Sequence, residues 1–392
     1  MCSLLGVLAL RFVRAHNHAP IYHRVNPQML YIGILNTEYG ILFYYFCKMK
    51  TDIRALTLPQ LQEAFIAMGE QKFRAKQVYE WLWMKSARSF DEMTNLSKEL
   101  RKKLDEQFAI NAVKVLKAQK SNDGTIKDAF ELYDHNIVEG VLIPTTERMT
   151  ACVSSQVGCS LTCKFCATGY MERKRNLNAD EIYDQVVLIN QQALQNYNIP
   201  LTNIVYMGMG EPLLNYANVL KSIDRITAED GLNMSYKRIT VSTAGIAKMI
   251  KKLGDDEVKF NLALSLHAAN DVKRNEIMPI NETNSLEALA EALKYYYEKT
   301  KNEVTYEYII FNGVNDEIQD ARELLAFTKH IPCKVNIIEY NPIAMADFLN
   351  AQVDKVEDFA EFLRKNGVIT NVRRSRGKDI DAACGQLAIK EK

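Results

Sequence analysis

From Asn178 to Arg373 the sequence alternates between stretches of helical period and short runs of strand period. The strand-like runs are Thr202–Met207, Arg238–Ser242, Lys259–Leu264, Val304–Ile310, Lys334–Tyr340 and Val368–Arg373. Helical stretches start at Asn178, whose side chain can cap with Glu181, and recur near 215–227, 244–253, 285–299, 317–329 and 354–365. Alternation of this kind calls for a parallel sheet, because parallel neighbours are joined by crossover helices. With about six βα units the expected fold is α/β, a partial (β/α)6 TIM-like barrel, and its site belongs at the carboxyl ends of the strands.

The chain before this region reads differently. From Leu56 to about Lys117 the pattern is helical, with Leu58, Leu61, Phe65, Val78 and Leu82 at helical spacing. A basic helix opens after Asn95-Leu96-Ser97 with Lys98, Arg101, Lys102 and Lys103, either a solvated face or a phosphate-contacting surface. We divide the chain into a helical accessory domain at 49–118, a strand-rich connector at 119–147 and the barrel at 148–392. Residues 1–48 hold His16, His18 and His23 but no sustained period, and translation is expected to begin at Met49. The apolar runs Leu4–Leu10 and Ile41–Cys47 are far shorter than the roughly 18 residues of a membrane span. With 49 Lys and Arg against 48 Asp and Glu, no global field draws nucleic acid, so any such binding rests on local patches.

Four of the 8 cysteines, Cys152, Cys159, Cys163 and Cys166, are crowded together, which points to metal or redox chemistry in a reducing cytoplasm rather than to a disulfide framework. Cys159, Cys163 and Cys166 stand as C-x3-C-x2-C. Three thiolates on one loop can hold three corners of an iron–sulfur cube and leave the fourth iron open. The alternative is structural zinc, for which Cys152 is the nearest fourth ligand. In MGMGEP, Gly208 and Gly210 let the backbone approach a ligand, and Glu211 offers an acceptor; alone, such a motif is an ordinary strand-end turn. Ser242, Ser265, Leu266, His267 and Asn341 also fall at strand ends. Cys384 sits in AACGQ after Arg373, Arg374, Arg376 and Lys378, where a thiolate is favoured and a phosphate can dock; inert packing is the default for it, for Cys152, and for Cys2, Cys47 and Cys333. Glu139 lies on an otherwise apolar strand.

The run CVSSQVGCSLTCKFCATG resembles the radical S-adenosylmethionine superfamily, with Phe165 before the third cysteine. Together with RKRNLNADEI, MGMGEPLLN, VSTAG, LSLHA, EYNPI and RRSRGKDIDAACGQLA, it is similar to the dual-specificity adenine-C2 RNA methyltransferases, over roughly Met49–Lys392. The resemblance implies a barrel of the radical SAM type, one 4Fe–4S cluster per chain on Cys159, Cys163 and Cys166, and S-adenosylmethionine held by Gly210, Glu211, Ser242, Ser265, Leu266, His267 and Asn341. It further implies that Cys384 takes a methyl group from one S-adenosylmethionine and that a 5′-deoxyadenosyl radical made from a second removes hydrogen from that methyl. The carbon radical adds to adenine carbon 2; Cys152 then helps remove the proton and forms a disulfide with Cys384, with Glu139 as proton acceptor. The implied partners are 23S ribosomal RNA, transfer RNA and a low-potential electron donor such as flavodoxin or ferredoxin; a monomer away from membranes is expected. Two alternatives stay open: a sister enzyme acting on adenine carbon 8, and a zinc-stabilised RNA-binding module.

Overall fold

Thr57 caps the first helix, α1 (Leu58–Ala67), by accepting from the Gln60 N–H while the Gln60 side chain accepts from the Thr57 N–H. Helices α2 (Lys72–Trp83) and α3 (Lys98–Gln107) follow, and Ser97 caps α3 through its hydroxyl, as the sequence implied. Leu61, Phe65, Val78, Leu82, Leu100 and Leu104 are buried in the core. The computed structural model describes residues 50–388, with the backbone of the paired segments Met29–Leu30 and Cys47–Lys48. The expected start at Met49, the histidines His16, His18 and His23, and Cys2 lie outside the described residues.

The helical pattern stops earlier than expected. Lys114–Lys120 is a strand, β1, not the tail of a helix. It is the edge of its sheet and mostly exposed on both faces, so it lacks the apolar alternation that marks a half-buried strand, and its lysines suit an edge. Strands β2 (Ile126–Glu131), β3 (Ile137–Pro144) and β4 (Met149–Cys152) follow in antiparallel order.

From β4 onward every neighbour within this sheet is parallel, while Gln156–Val157 and Arg175–Asn176 form a separate antiparallel pair. Helix α4 (Ala179–Tyr197) leads to β5 (Asn203–Tyr206), α5 (Tyr216–Thr227) to β6 (Ile239–Thr243), and α6 (Ala247–Asp255) to β7 (Asn261–Ser265). After β7 come α7 (Asp271–Ile277) and α8 (Leu286–Thr300), then β8 (Val304–Ile310), α9 (Ile318–Thr328), β9 (Cys333–Glu339), α10 (Val353–Lys365) and β10 (Thr370–Arg373). The sheet runs in strict chain order from β10 back to β1. This is the expected partial (β/α)6 barrel: β5 to β10 are the six expected strands, β4 joins them in parallel as one strand more, and the antiparallel hairpins extend that edge. Val241, Leu262, Leu264, Tyr306, Val335 and Ile337 are fully buried, as a sheet covered by helices requires. Helix α7 was not expected; it is short, and Asn270 caps it by accepting from the N–H groups of Val272 and Lys273.

Arg54 joins the accessory helices to the barrel. Buried, it lies 2.8 Å from Asp184 and 3.2 Å from Asp180, both on α4, and 3.3 Å from Asp52. Asp184 also accepts from the Val113 N–H, and Trp83 packs edge-on against Tyr183 with ring centres 5.1 Å apart. Among the described residues no helix is long and apolar enough to cross a membrane.

Candidate active site

One cavity opens beyond the carboxyl ends of the parallel strands. Its wall includes Cys159, Cys163, Cys166, Gly210, Glu211, Ser242, Ser265, His267 and Cys384. The sequence-predicted residues thus come together, with four exceptions: Leu266, Asn341, Cys152 and Glu139 are not part of that wall.

Gly210 has φ +95°, and a Cβ there would stand 2.4 Å from the Gln156 side chain, so only glycine fits. Gln156 accepts from the Glu211 N–H, and the two Glu211 oxygens accept from the N–H groups of Leu213 and Ala244. The carboxylate, which also accepts from the Thr243 hydroxyl, therefore ties the glycine turn to the end of β6. Burial pushes it up to about 6 against the pull of those amides. Ser242 and Ser265 touch through their hydroxyls at 3.3 Å. His267, at φ +57°, accepts at Nδ1 from the Ile309 N–H, so the neutral ring carries its proton on Nε2. Burial, aided by Arg274, depresses its pKa to about 3 and keeps it neutral. Leu266 is fully buried and its backbone serves the site, the N–H bonding to the Glu307 carbonyl. Asn341 donates from Nδ2 to the Cys384 carbonyl, 3.1 Å.

The cysteine loop is fixed by backbone bonds on both sides. Lys164 N–H donates to Ile277 of α7, and Ala167 N–H donates to Gly385 in the Cys384 loop. Burial pushes all three thiols up, Cys159 to about 11, and for Cys159 and Cys163 the neighbouring cysteines add to the rise. A positively charged metal centre relieves that crowding of thiolates. The donor set is all sulfur, which suits iron–sulfur ligation. A closed zinc site needs four ligands about 2.3 Å from one point; among the described residues no three His, Cys, Asp or Glu side chains converge on a single ion. In a cube each thiolate holds its own corner, so such convergence is not required.

Cys152 ends β4, buried, with its thiol pushed up to about 12 by burial and then by the nearness of Cys384. Cys384 is in contact with solvent in the open cavity, yet protein packs closely enough round it to raise its thiol, against the pull of Arg373. The thiolate expected from the basic run is therefore not favoured. Each cation of that run faces an acid: Arg373 with Glu307 at 3.5 Å, Arg374 with Glu357 at 3.9 Å, Arg376 with Asp123 at 3.7 Å and Lys378 with Glu339 at 2.8 Å. The stretch reads as a phosphate patch in sequence and is largely neutralised in space. Glu139 lies on the same sheet face as Cys152, paired with buried Lys127 at 3.2 Å.

Residues 51–110 match the ribosomal RNA large subunit methyltransferase N-terminal domain, and residues 153–325 match the radical SAM superfamily. A probable dual-specificity RNA methyltransferase RlmN of Cytophaga hutchinsonii is 65% identical over 358 residues, covering 89% of this chain and 98% of the relative. The chain belongs to the dual-specificity RNA methyltransferase family. A second such relative, from Christiangramia forsetii, is 57% identical over 349 residues, covering 88% of this chain and 99% of its own. A crystal structure of a radical SAM methyltransferase from Sphaerobacter thermophilus matches with TM-score 0.82 and 39% identity, over 86% of this chain and 99% of that one. As a radical SAM methyltransferase the chain is an enzyme, and its superfamily works with S-adenosylmethionine and a 4Fe–4S cluster.

Sequence reading of this family member missed Glu307 and Arg373 as parts of the cavity wall, and Gln156 and Arg274 behind it. Glu307 carried a signal, a lone carboxylate at an inward position of an apolar strand. Gln156 and Arg274 carried none, because their roles depend on segments distant in the chain.

Proposed function

We propose that this enzyme methylates carbon 2 of adenine in 23S ribosomal RNA and in transfer RNA, with Cys384 as methyl carrier and Cys152 as resolving thiol. The observation that carries this reading is the shared cavity: the carrier loop is bonded to the cysteine loop through Ala167 and Gly385, and Cys152 feels the charge of Cys384. Carbon 2 of adenine is electron-poor and bears hydrogen, so it does not displace a methyl group from a sulfonium as a nucleophile does. A sulfur nucleophile does, which gives Cys384 its first task. When bound, the cofactors supply the electron and the hydrogen-abstracting agent that activate the methyl group. Cys159, Cys163 and Cys166 are proposed to hold one cluster, and Gly210, Glu211, Ser242, Ser265, Leu266, His267 and Asn341 to hold S-adenosylmethionine.

Release falls to the other thiol. The carbon 2 proton leaves by way of Cys152, with Glu139 proposed as its acceptor, and the unpaired electron left by radical addition would return to the cluster when one is bound. As the Cys152–Cys384 S–S bond forms, the bond from Cys384 sulfur to the new carbon breaks, its electron pair passes to the product base, and a proton from solvent completes the methyl group. Both thiols are oxidised, so an external thiol reductant restores them. A low-potential donor such as flavodoxin or ferredoxin, a cytoplasmic location and a monomer complete the reading. RNA docking is proposed at the accessory domain, where Arg88, Lys98, Arg101 and Lys102 surround a concave surface.

Mass spectrometry of digested RNA from cells with and without the protein is expected to show 2-methyladenine lost on deletion. A product methylated at carbon 8, or no change, overturns the assignment. The Cys152→Ala protein is expected to trap RNA covalently on Cys384, a slow-migrating species removed by nuclease and not formed by Cys384→Ala. Normal turnover by Cys152→Ala refutes the roles given to the two thiols.

A further inference from the structure

Arg274, on α7, is fully buried, and its guanidinium contacts no carboxylate. Nε donates to the Leu266 carbonyl at 3.0 Å, Nη1 to Asn281 Oδ1 at 2.7 Å, and Nη2 to the carbonyls of Ala244 at 2.6 Å and Ser265 at 3.2 Å. Among the described residues no ion pair is formed by Arg274. A buried cation with only neutral partners is costly unless an anion lies near. The nearby loop is the cysteine loop: Lys164 N–H bonds Ile277 at the end of α7, and Cys163 packs on the apolar cluster that contains Ile277 and Met278. The arginine, though lowered by burial to about 10, stays protonated at neutral pH.

We infer that Arg274 is a buried counter-charge for the three-thiolate loop and raises the reduction potential of the cluster held there. The inference rests on the cluster assignment above. The three thiolates outweigh the charge of the iron–sulfide core, and one-electron reduction makes the centre more negative still; a fixed positive charge behind it favours that reduced form. Arg274 is not part of the cavity wall and is a positioning residue. It acts through the cluster, and its hydrogen bonds also fix the ends of β6 and β7 that carry Ala244 and Ser265.

The test is an anaerobic redox titration of the full chain with reconstituted iron and sulfide, without S-adenosylmethionine, with a titanium(III) reductant and the reduced cluster read by electron paramagnetic resonance. One electron passes from the titrant to the cluster. Arg274→Gln is expected to shift the midpoint to more negative potential, and Arg274→Lys, which keeps the charge, to stay near the parent value. Asp271→Asn is expected to shift it the other way, since Asp271 opposes the guanidinium through Asn281. Equal shifts for Gln and Lys show a packing effect and overturn the inference, as does an unchanged potential in Arg274→Gln. If Arg274→Gln loads no iron, Asp271→Asn decides: no shift, or a shift to more negative potential, overturns the inference. A parent protein that binds no iron and sulfide refutes the cluster assignment instead, and this inference falls with it.

Discussion

Arg54→Met removes one charge and leaves three carboxylates, and the structure indicates how they respond. Asp52 keeps the N–H groups of residue 54 and Asn111, and Asp184 keeps the Val113 N–H, so each retains a donor. Among the described residues Asp180 has only Arg54 as its ionic partner, at 3.2 Å, and loses it in a buried position. Removing one member of a buried ion cluster costs about 3–5 kcal/mol. Burial already pushes the Asp180 carboxyl up even with Arg54 in place, and the substitution pushes it further. A carboxyl whose pKa is raised in the folded state binds more protons folded than unfolded, so stability rises as pH falls from neutrality toward the ordinary value of about 3.9. The penalty should therefore be largest above neutral pH and shrink on acidification. Urea unfolding at a series of pH values, parent against variant, measures it, with the shift in midpoint as the readout. A loss below about 1 kcal/mol at every pH, the level of an exposed pair, or a penalty that grows on acidification, refutes the reasoning.

Changing any one of Cys159, Cys163 or Cys166 to Ala should abolish stable iron loading, because two thiolates do not hold the cube; iron and sulfide analysis after anaerobic reconstitution checks it, and full loading refutes the ligand set. Gly210→Ala adds a Cβ 2.4 Å from Gln156 at φ +95°, so binding of S-adenosylmethionine, read by calorimetry, should be largely lost while the fold persists by circular dichroism. Neutralising Lys98, which forms no ion pair among the described residues, should lower the salt slope of RNA binding by roughly 1 if it meets a phosphate, whereas neutralising Arg101, Lys102, Arg374 or Arg376, each already beside an acid at 3.7 to 4.0 Å, should change it less; an unchanged slope for the Lys98 variant refutes docking at this surface.

The parallel part of the sheet was legible because its strands are buried on both faces and its helices on one, so their periods differ sharply. β1 was not, since a doubly exposed edge has no apolar face to write into the sequence. The cavity wall was legible where chemistry is local: three cysteines in eight residues and a glycine turn ending in Glu211. The basic run Arg373–Lys378 misled for the opposite reason, because the acids that neutralise it come from other segments, Asp123, Glu307, Glu339 and Glu357. Arg274 and Gln156 act on segments distant in sequence, and no spacing rule reports a bond that exists only once the barrel has closed.

The strict sequential order of the ten strands bears on how the enzyme is made. Each strand from β2 to β10 pairs with the one synthesised just before it, so the sheet can grow in the direction of translation without waiting for a distant partner. The cysteine loop follows the fourth strand, whereas Cys384 follows the tenth. A ribosome that stops before the tenth strand therefore releases a protein with Cys159, Cys163 and Cys166 and without Cys384. The bonds that join the two segments, from the Ala167 N–H to the Gly385 carbonyl and from the Thr168 hydroxyl to the Leu387 carbonyl, cannot form until both have been made.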